Sequence, residues 1–285
     1  MCGRYAASAN PDDLVEEFEV EVDRTGEPGR SILVNPQEPP PGTPDFNMAP
    51  SKQAPVVLTR PLRESDEAYA EGRGPVRQLR LLTWGLVPSW AKDTKVGVRM
   101  VNARADTVLE ARAFSRAART RRCLVPAAGW YEWQASPTVT DAKGKPRRQP
   151  FFVRRVDGTD CALAGLYEFW RDPAVGSSAD PMAWLTTFTI VTTDAEPGLD
   201  RIHDRQPLVL DPEAWERWLS PDVTDADAVE DLLRPAGPGR FEAYAVSRAV
   251  SSNRSNGPGL LEPAPPEELE GVVDPMTGEI IAGAS

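Results

Sequence analysis

Histidine, cysteine and long apolar runs are what this chain has least of. One histidine, His203, and three scattered cysteines in 285 residues leave no credible zinc set, so no metal and no cofactor is expected. An odd cysteine count without regular spacing argues against a disulfide framework and fits a reducing compartment. No apolar stretch approaches the length of a bilayer span, and no hydrophobic leader core follows Met1. A soluble, cytoplasmic, monomeric protein without membrane contact is the expectation. Positive charge is also short: 32 Lys and Arg against 43 Asp and Glu give a net charge of −11. That balance argues against a generic nucleic-acid binder unless a basic surface is gathered locally.

What is present is a succession of short strand patterns with few helices. Asn10-Pro11-Asp12-Asp13 reads as a helix start, with Leu14, Val15 and Phe18 on its apolar face. Strands are predicted over 55–59, 76–84, 123–134, 151–156, 161–169, 184–193 and 241–246, the second half-buried by its alternation. A helix is predicted from Asp106 to Ala118, with Thr107 and Glu110 spaced as a capping box. Two more follow Asp211-Pro212, carrying Trp215, Trp218 and Leu219, and Thr224. Pro/Gly-rich or polar composition marks 23–45, 64–74, 136–149 and 171–180 as loops, and the tail 259–285 as poorly ordered. Without βαβ alternation, this pattern predicts an α+β fold. Its form would be a single compact domain over 2–258, a largely antiparallel sheet or partial barrel with peripheral helices, with insertions at 21–45 and 136–149.

Chemistry concentrates at a few places. Cys2 follows Met1 directly, and removal of that methionine would leave an α-amine and a thiol on adjacent carbons. Such a 1,2-aminothiol condenses with an aldehyde to a five-membered thiazolidine; its two groups titrate near ~8 and ~8.5. An ordinary buried cysteine is the plainer reading. Glu132, in Gly129-Trp130-Tyr131-Glu132-Trp133, sits amid aromatic surface that should raise its pKa towards neutrality, as a general acid requires. His203, in Ile202-His203-Asp204-Arg205-Gln206-Pro207, follows a strand end at Thr192-Thr193-Asp194 and can pass protons at neutral pH. From Arg99 to Arg122 lies the local basic surface: Arg99, Arg104, Arg112, Arg116, Arg119, Arg121 and Arg122 against Asp106 and Glu110. Arg4, Arg104 and Arg205 can together follow a sugar–phosphate backbone. Trp84 and Trp90, in Trp84-Gly85-Leu86-Val87-Pro88-Ser89-Trp90, can stack on bases, with core packing as the alternative for at least one. Cys123 and Cys161 lie in apolar strands and read as inert.

In this order the segments resemble the SRAP (SOS-response-associated peptidase) family. The resemblance rests on Met1-Cys2-Gly3-Arg4-Tyr5, Asn47-Met48-Ala49-Pro50, Trp84-Gly85-Leu86-Val87-Pro88, Asn102-Ala103-Arg104-Ala105-Asp106-Thr107 and Arg122-Cys123-Leu124-Val125-Pro126 through Trp133. It continues in Phe188 to Asp194, His203-Asp204-Arg205-Gln206-Pro207, Val246-Ser247 and Asn256-Gly257-Pro258. It implies a sensor and shield of abasic sites in single-stranded DNA, with the replication machinery as a further partner to consider. Cys2 would form the thiazolidine with the ring-opened deoxyribose after self-removal of Met1. Glu132 would assist proton transfer, and His203 would promote sugar opening and Schiff-base chemistry. Asn102 would position the amine and lesion, with Arg104 and Arg205 as phosphate contacts and Thr192 and Arg4 as weaker ones. The rival readings are an N-terminal-nucleophile amidohydrolase, which also begins Met-Cys-Gly, and a non-covalent single-stranded DNA-binding module.

Overall fold

A computed structural model describes residues 3–64, 66 and 69–281. Along the chain come β1 (Arg4–Ala7), α1 (Pro11–Glu17), β2 (Val22–Asp23), β3 (Asp45–Met48), β4 (Gln53–Arg60), β5 (Val76–Trp84) and β6 (Asn102–Arg104). Next are α2 (Ser115–Thr120), β7 (Arg122–Ala127), β8 (Gly129–Thr140), β9 (Pro146–Arg155), β10 (Cys161–Arg171) and β11 (Trp184–Asp194). The last are β12 (Arg205–Pro207), β13 (Val209–Leu210), α3 (Pro212–Leu219), α4 (Ala226–Leu232) and β14 (Phe241–Ala245).

The strands form two sheets. One has the order β14-β9-β8-β1-β3, and its pairs are antiparallel. The other runs β12-β11-β10-β7-β4-β5-β2, with β6 and β13 laid on β11 and β10. A short parallel pairing, Thr83 with Thr187 and Trp84 with Phe188, brings β5 back to β11 and turns five of its strands into a partial barrel. This is the α+β architecture that the strand pattern predicts. Gly85, immediately after β5, has φ +119° and a Cβ there would stand 2.7 Å from the Gly97 carbonyl. Only glycine allows the two backbones to approach so closely.

Apolar side chains separate into two main clusters. Between barrel and second sheet lie Tyr5, Trp84, Trp130, Phe151, Phe188 and Ile190. On the outer face of the barrel, Leu79, Leu124 and Leu166 meet Leu14 and Phe18 at α1, Trp215 and Trp218 of α3 and Val229 of α4. Trp218 is fully buried, and its indole donates to the Cys123 carbonyl at 2.8 Å, so α3 is fixed to β7 by packing and by a satisfied polar tip. Strand β5 therefore faces apolar side chains on both sides rather than being half-buried.

Four other expectations change. Residues 106–114 form successive turns, and only Ser115–Thr120 is helical. The segment 136–149 is a hairpin: β8 and β9 pair, and Asp141 Oδ1 accepts the Lys143 and Lys145 amides to close the turn. Residues 259–281 are built into the structure. Leu260 and Val272 are buried, Val246 bridges Pro263, and the Gln134 side chain bonds the backbone of Val273 in both directions. Arg122, expected at the basic surface, is buried; it donates to the carbonyls of Ala118, Arg119, Trp218 and Ser220 and so terminates α2 and α3.

Candidate functional site

Cys2 and Met1 lie outside the described residues, so the site is built from its other members. Strand β1 pairs with β8 through Arg4 opposite Tyr131 and Tyr5 opposite Trp130. Glu132 is the next residue along β8, and its side chain is on the Trp130 side of the strand, the side packed against the core. It is 4% exposed. Burial pushes its carboxyl up to about 7, because a carboxylate there gives up hydration.

A cleft of about 430 Å³ joins Glu132 to Trp133, Arg148, His203 and Ser251. The Nδ1 of His203 accepts the backbone N–H of Arg205 at 3.0 Å, which leaves the neutral ring's proton on Nε2. The same Nδ1 stands 2.8 Å from the Asp204 carboxylate, the contact that the protonated ring would use. Burial lowers the His203 pKa, so the neutral form and its backbone partner dominate at pH 7; the Asp204 carboxylate is well exposed and screened. The sequence marks Glu132 and His203, and the fold brings them together. Arg148 and Ser251 carry no such mark. Arg148 lies in what reads as a loop but is β9, and Ser251 reaches the cleft because its hydroxyl accepts the Trp133 indole N–H at 3.0 Å.

Asn102 and Arg104 lie on β6, opposite Ile190 and Thr192 of β11. On the other side of β11, Asp194 faces Arg205. Asn102, Arg104, Thr192 and Arg205 are thus gathered at one end of β11. Arg104 is exposed and makes a two-pronged pair with Asp106, at 3.1 and 2.7 Å. The Arg205 guanidinium is buried. It donates to the Thr192 carbonyl and pairs with Asp194, with Asp106 at 3.8 Å.

Three of the expected DNA contacts are placed otherwise. Trp84 is 1% exposed and cannot stack on a base. Its ring meets Tyr5 of β1 edge-on at 5.1 Å, and its indole N–H donates to the Val101 carbonyl, next to Asn102. It couples the opening strand to β6 from inside. The Thr192 side chain is buried, and the residue acts through its carbonyl on Arg205. Arg4 is half-buried and donates to Asn47 Oδ1 and the Val250 carbonyl, while the Asn47 amide holds the carbonyls of Val250, Ser252 and Ser255. This clamp supports Ser251 at the cleft. Trp90 is half-exposed, with the Arg112 guanidinium at 4.7 Å over its ring.

Cys123 and Cys161 are buried free thiols, and burial raises both pKa values. Among the described residues no group of three or more His, Cys, Asp or Glu is placed to hold a metal, and no helix is long and apolar enough to cross a membrane.

A one-domain α+β protein with a buried carboxylic acid and a neutral imidazole sharing a cleft beside its first strand is equipped for proton transfer near its N-terminus. The chain belongs to the SOS response associated peptidase (SRAP) family, whose pattern residues 1–253 match. It is 34% identical over 264 residues to abasic site processing protein YoqW of Bacillus subtilis, covering 92% of this chain and 99% of that one. To abasic site processing protein YedK of Escherichia coli it is 32% identical over 272 residues, covering 92% and 100%. Its fold is similar to the crystal structure of a Bacteroides thetaiotaomicron protein, with a TM-score of 0.67 at 23% identity, over 93% of this chain and all of that one.

Proposed function

We propose that this protein recognises abasic sites in single-stranded DNA and shields them through a covalent thiazolidine at Cys2. The observation that carries the reading is Glu132, a carboxylic acid poised near neutrality in one cleft with His203, on the strand bonded to the chain's opening strand. Cys2 is two residues from Arg4, so chain connectivity holds its Cα within about 7–8 Å of the start of β1. The names of the relatives, abasic site processing proteins, agree with this reading.

The chemistry balances as follows. Hydrolysis of the Met1–Cys2 peptide bond, an autopeptidase step, consumes one water and frees the α-amine. At the lesion a proton moves to the sugar ring oxygen as the anomeric hydroxyl loses one, which gives the open aldehyde; neutral His203 is the group suited to relay it. The amine adds to the aldehyde carbon. Protonated Glu132 supplies the proton with which the resulting hydroxyl leaves as water, and an imine forms. The Cys2 thiolate then adds to the imine carbon and closes the ring. One C–N and one C–S bond have formed, and one water has left. The same Schiff base gives the protein its lyase-type character. Asn102 positions amine and lesion. Arg104 and Arg205 exchange their carboxylate partners for phosphates, a small loss at Arg104, whose pair with Asp106 is exposed and screened by solvent. Trp90 and Arg112 grip the strand beside them.

The test is a denaturing gel. An abasic single-stranded oligonucleotide should give an SDS-stable adduct, and the intact oligonucleotide none. Cys2→Ala should abolish it; a heat-stable adduct of normal yield from that variant would end the aminothiol reading.

A further inference from the structure

A larger cavity, about 790 Å³, lies where β4 and β10 finish and β11 begins. Thr186 on its wall and Thr192 beside Arg205 are six residues apart on β11, roughly 20 Å. No residue that lines it also lines the Glu132 cleft, so the two are separate. Five arginines line it, Arg30, Arg60, Arg63, Arg80 and Arg121, against two carboxylates, Glu27 and Glu168.

Those carboxylates are already engaged: Glu168 pairs with Arg121, and Glu27 with Arg24 and Arg63. Arg30 is held by Asp172 from outside. Among the described residues no carboxylate pairs with Arg60 or Arg80. The Arg60 guanidinium rests on the Phe169 ring at 4.5 Å, and Arg80 Nε donates to Gln78 Oε1 at 2.9 Å, an oxygen that also accepts from Arg24. Burial lowers the pKa of both, and neighbouring guanidinium groups lower them further, Arg80 to about 10. Partly buried guanidinium groups that outnumber the carboxylates beside them cost stability unless a ligand supplies further negative charge.

We propose that this cavity binds a small phosphorylated ligand of the nucleotide class, with two adjacent phosphates between Arg60, Arg80 and Arg121. Planar guanidinium forks match phosphate oxygens in pairs, and the volume is that of a small-molecule site. Trp184, at the wall and 38% exposed, offers a face for the base.

Calorimetry and thermal melts on the full chain, with inorganic pyrophosphate and a nucleoside diphosphate as probes, test this. At a hundredfold excess over Kd either probe should raise Tm by roughly 4–5 °C. Arg60→Gln and Arg80→Gln should each lower affinity at least tenfold, yet raise the Tm of the ligand-free protein by removing an uncompensated charge. Trp184→Ala should weaken the nucleotide and leave pyrophosphate unchanged. Glu132→Gln should bind both probes normally; loss there would move binding to the other cleft and overturn the proposal. Absence of stabilisation at millimolar probe, or equal stabilisation in the arginine variants, would also overturn it. So would an intact single-stranded oligonucleotide that displaces pyrophosphate from wild type, which would assign the arginines to nucleic acid.

Discussion

Replacing Glu132 by glutamine should change the way stability depends on pH. The carboxyl is buried, and the loss of hydration raises its pKa from 4.5 to about 7. The folded chain therefore holds this proton more tightly than the unfolded chain does. Its contribution is complete below pH 4.5 and is lost as pH rises to about 7, where the native state must either bury a charge or open. At about 1.36 kcal/mol per pH unit, the displacement amounts to roughly 3 kcal/mol. Glutamine keeps the shape and never ionises. Glu132→Gln should therefore lie within about 1 kcal/mol of wild type at pH 4.5 and exceed it by roughly 3 kcal/mol at pH 8. Urea unfolding at both values measures this, and the difference between the proteins cancels the titration of distant groups. The same variant should form adduct more slowly, having lost its acid. A stability gap that stays within about 0.5 kcal/mol across that range would refute the desolvation account; unchanged adduct kinetics would remove Glu132 from the reaction.

His203→Asn should have the opposite pH signature. The lowered histidine pKa means that stability rises with pH through 6.5 and is lost as pH falls, so the variant should gain on wild type at pH 5 in thermal melts. Arg104→Ala should weaken binding to intact single strands and reduce the slope of log K against log salt by roughly 0.7, measured by fluorescence anisotropy. Asn47→Ala strips hydrogen bonds from three carbonyls and from Arg4, and should cost roughly 2–4 kcal/mol in chemical denaturation.

The chain's regular elements were legible where a local pattern and the tertiary environment agree. Strand β5 is read with its observed ends, and α3 from the spacing of Trp215, Trp218 and Leu219. The hairpin at 136–149 escapes because its strands extend beyond the core, where neither face needs to be apolar. The docked tail escapes for a related reason: its polar composition conceals the few residues, Leu260 and Val272, that anchor it. At the site, Glu132 and His203 stand out by their chemistry, whereas Ser251 gains a role only through the Asn47 clamp. Trp84 shows the limit of residue type as a guide, since a large aromatic in an irregular motif serves a surface or an interior equally well and only the closure of β5 onto β11 decides.

Between β7 and β8 only Ala128 intervenes, and its amide bonds the Ala6 carbonyl. One ribbon thus leaves the barrel and becomes the middle of the second sheet, carrying Glu132 a few residues later. The wall of the cleft that carries Glu132 is therefore one length of backbone with the barrel, and Glu132 is placed by the barrel's own strand order as much as by the sheet it sits in.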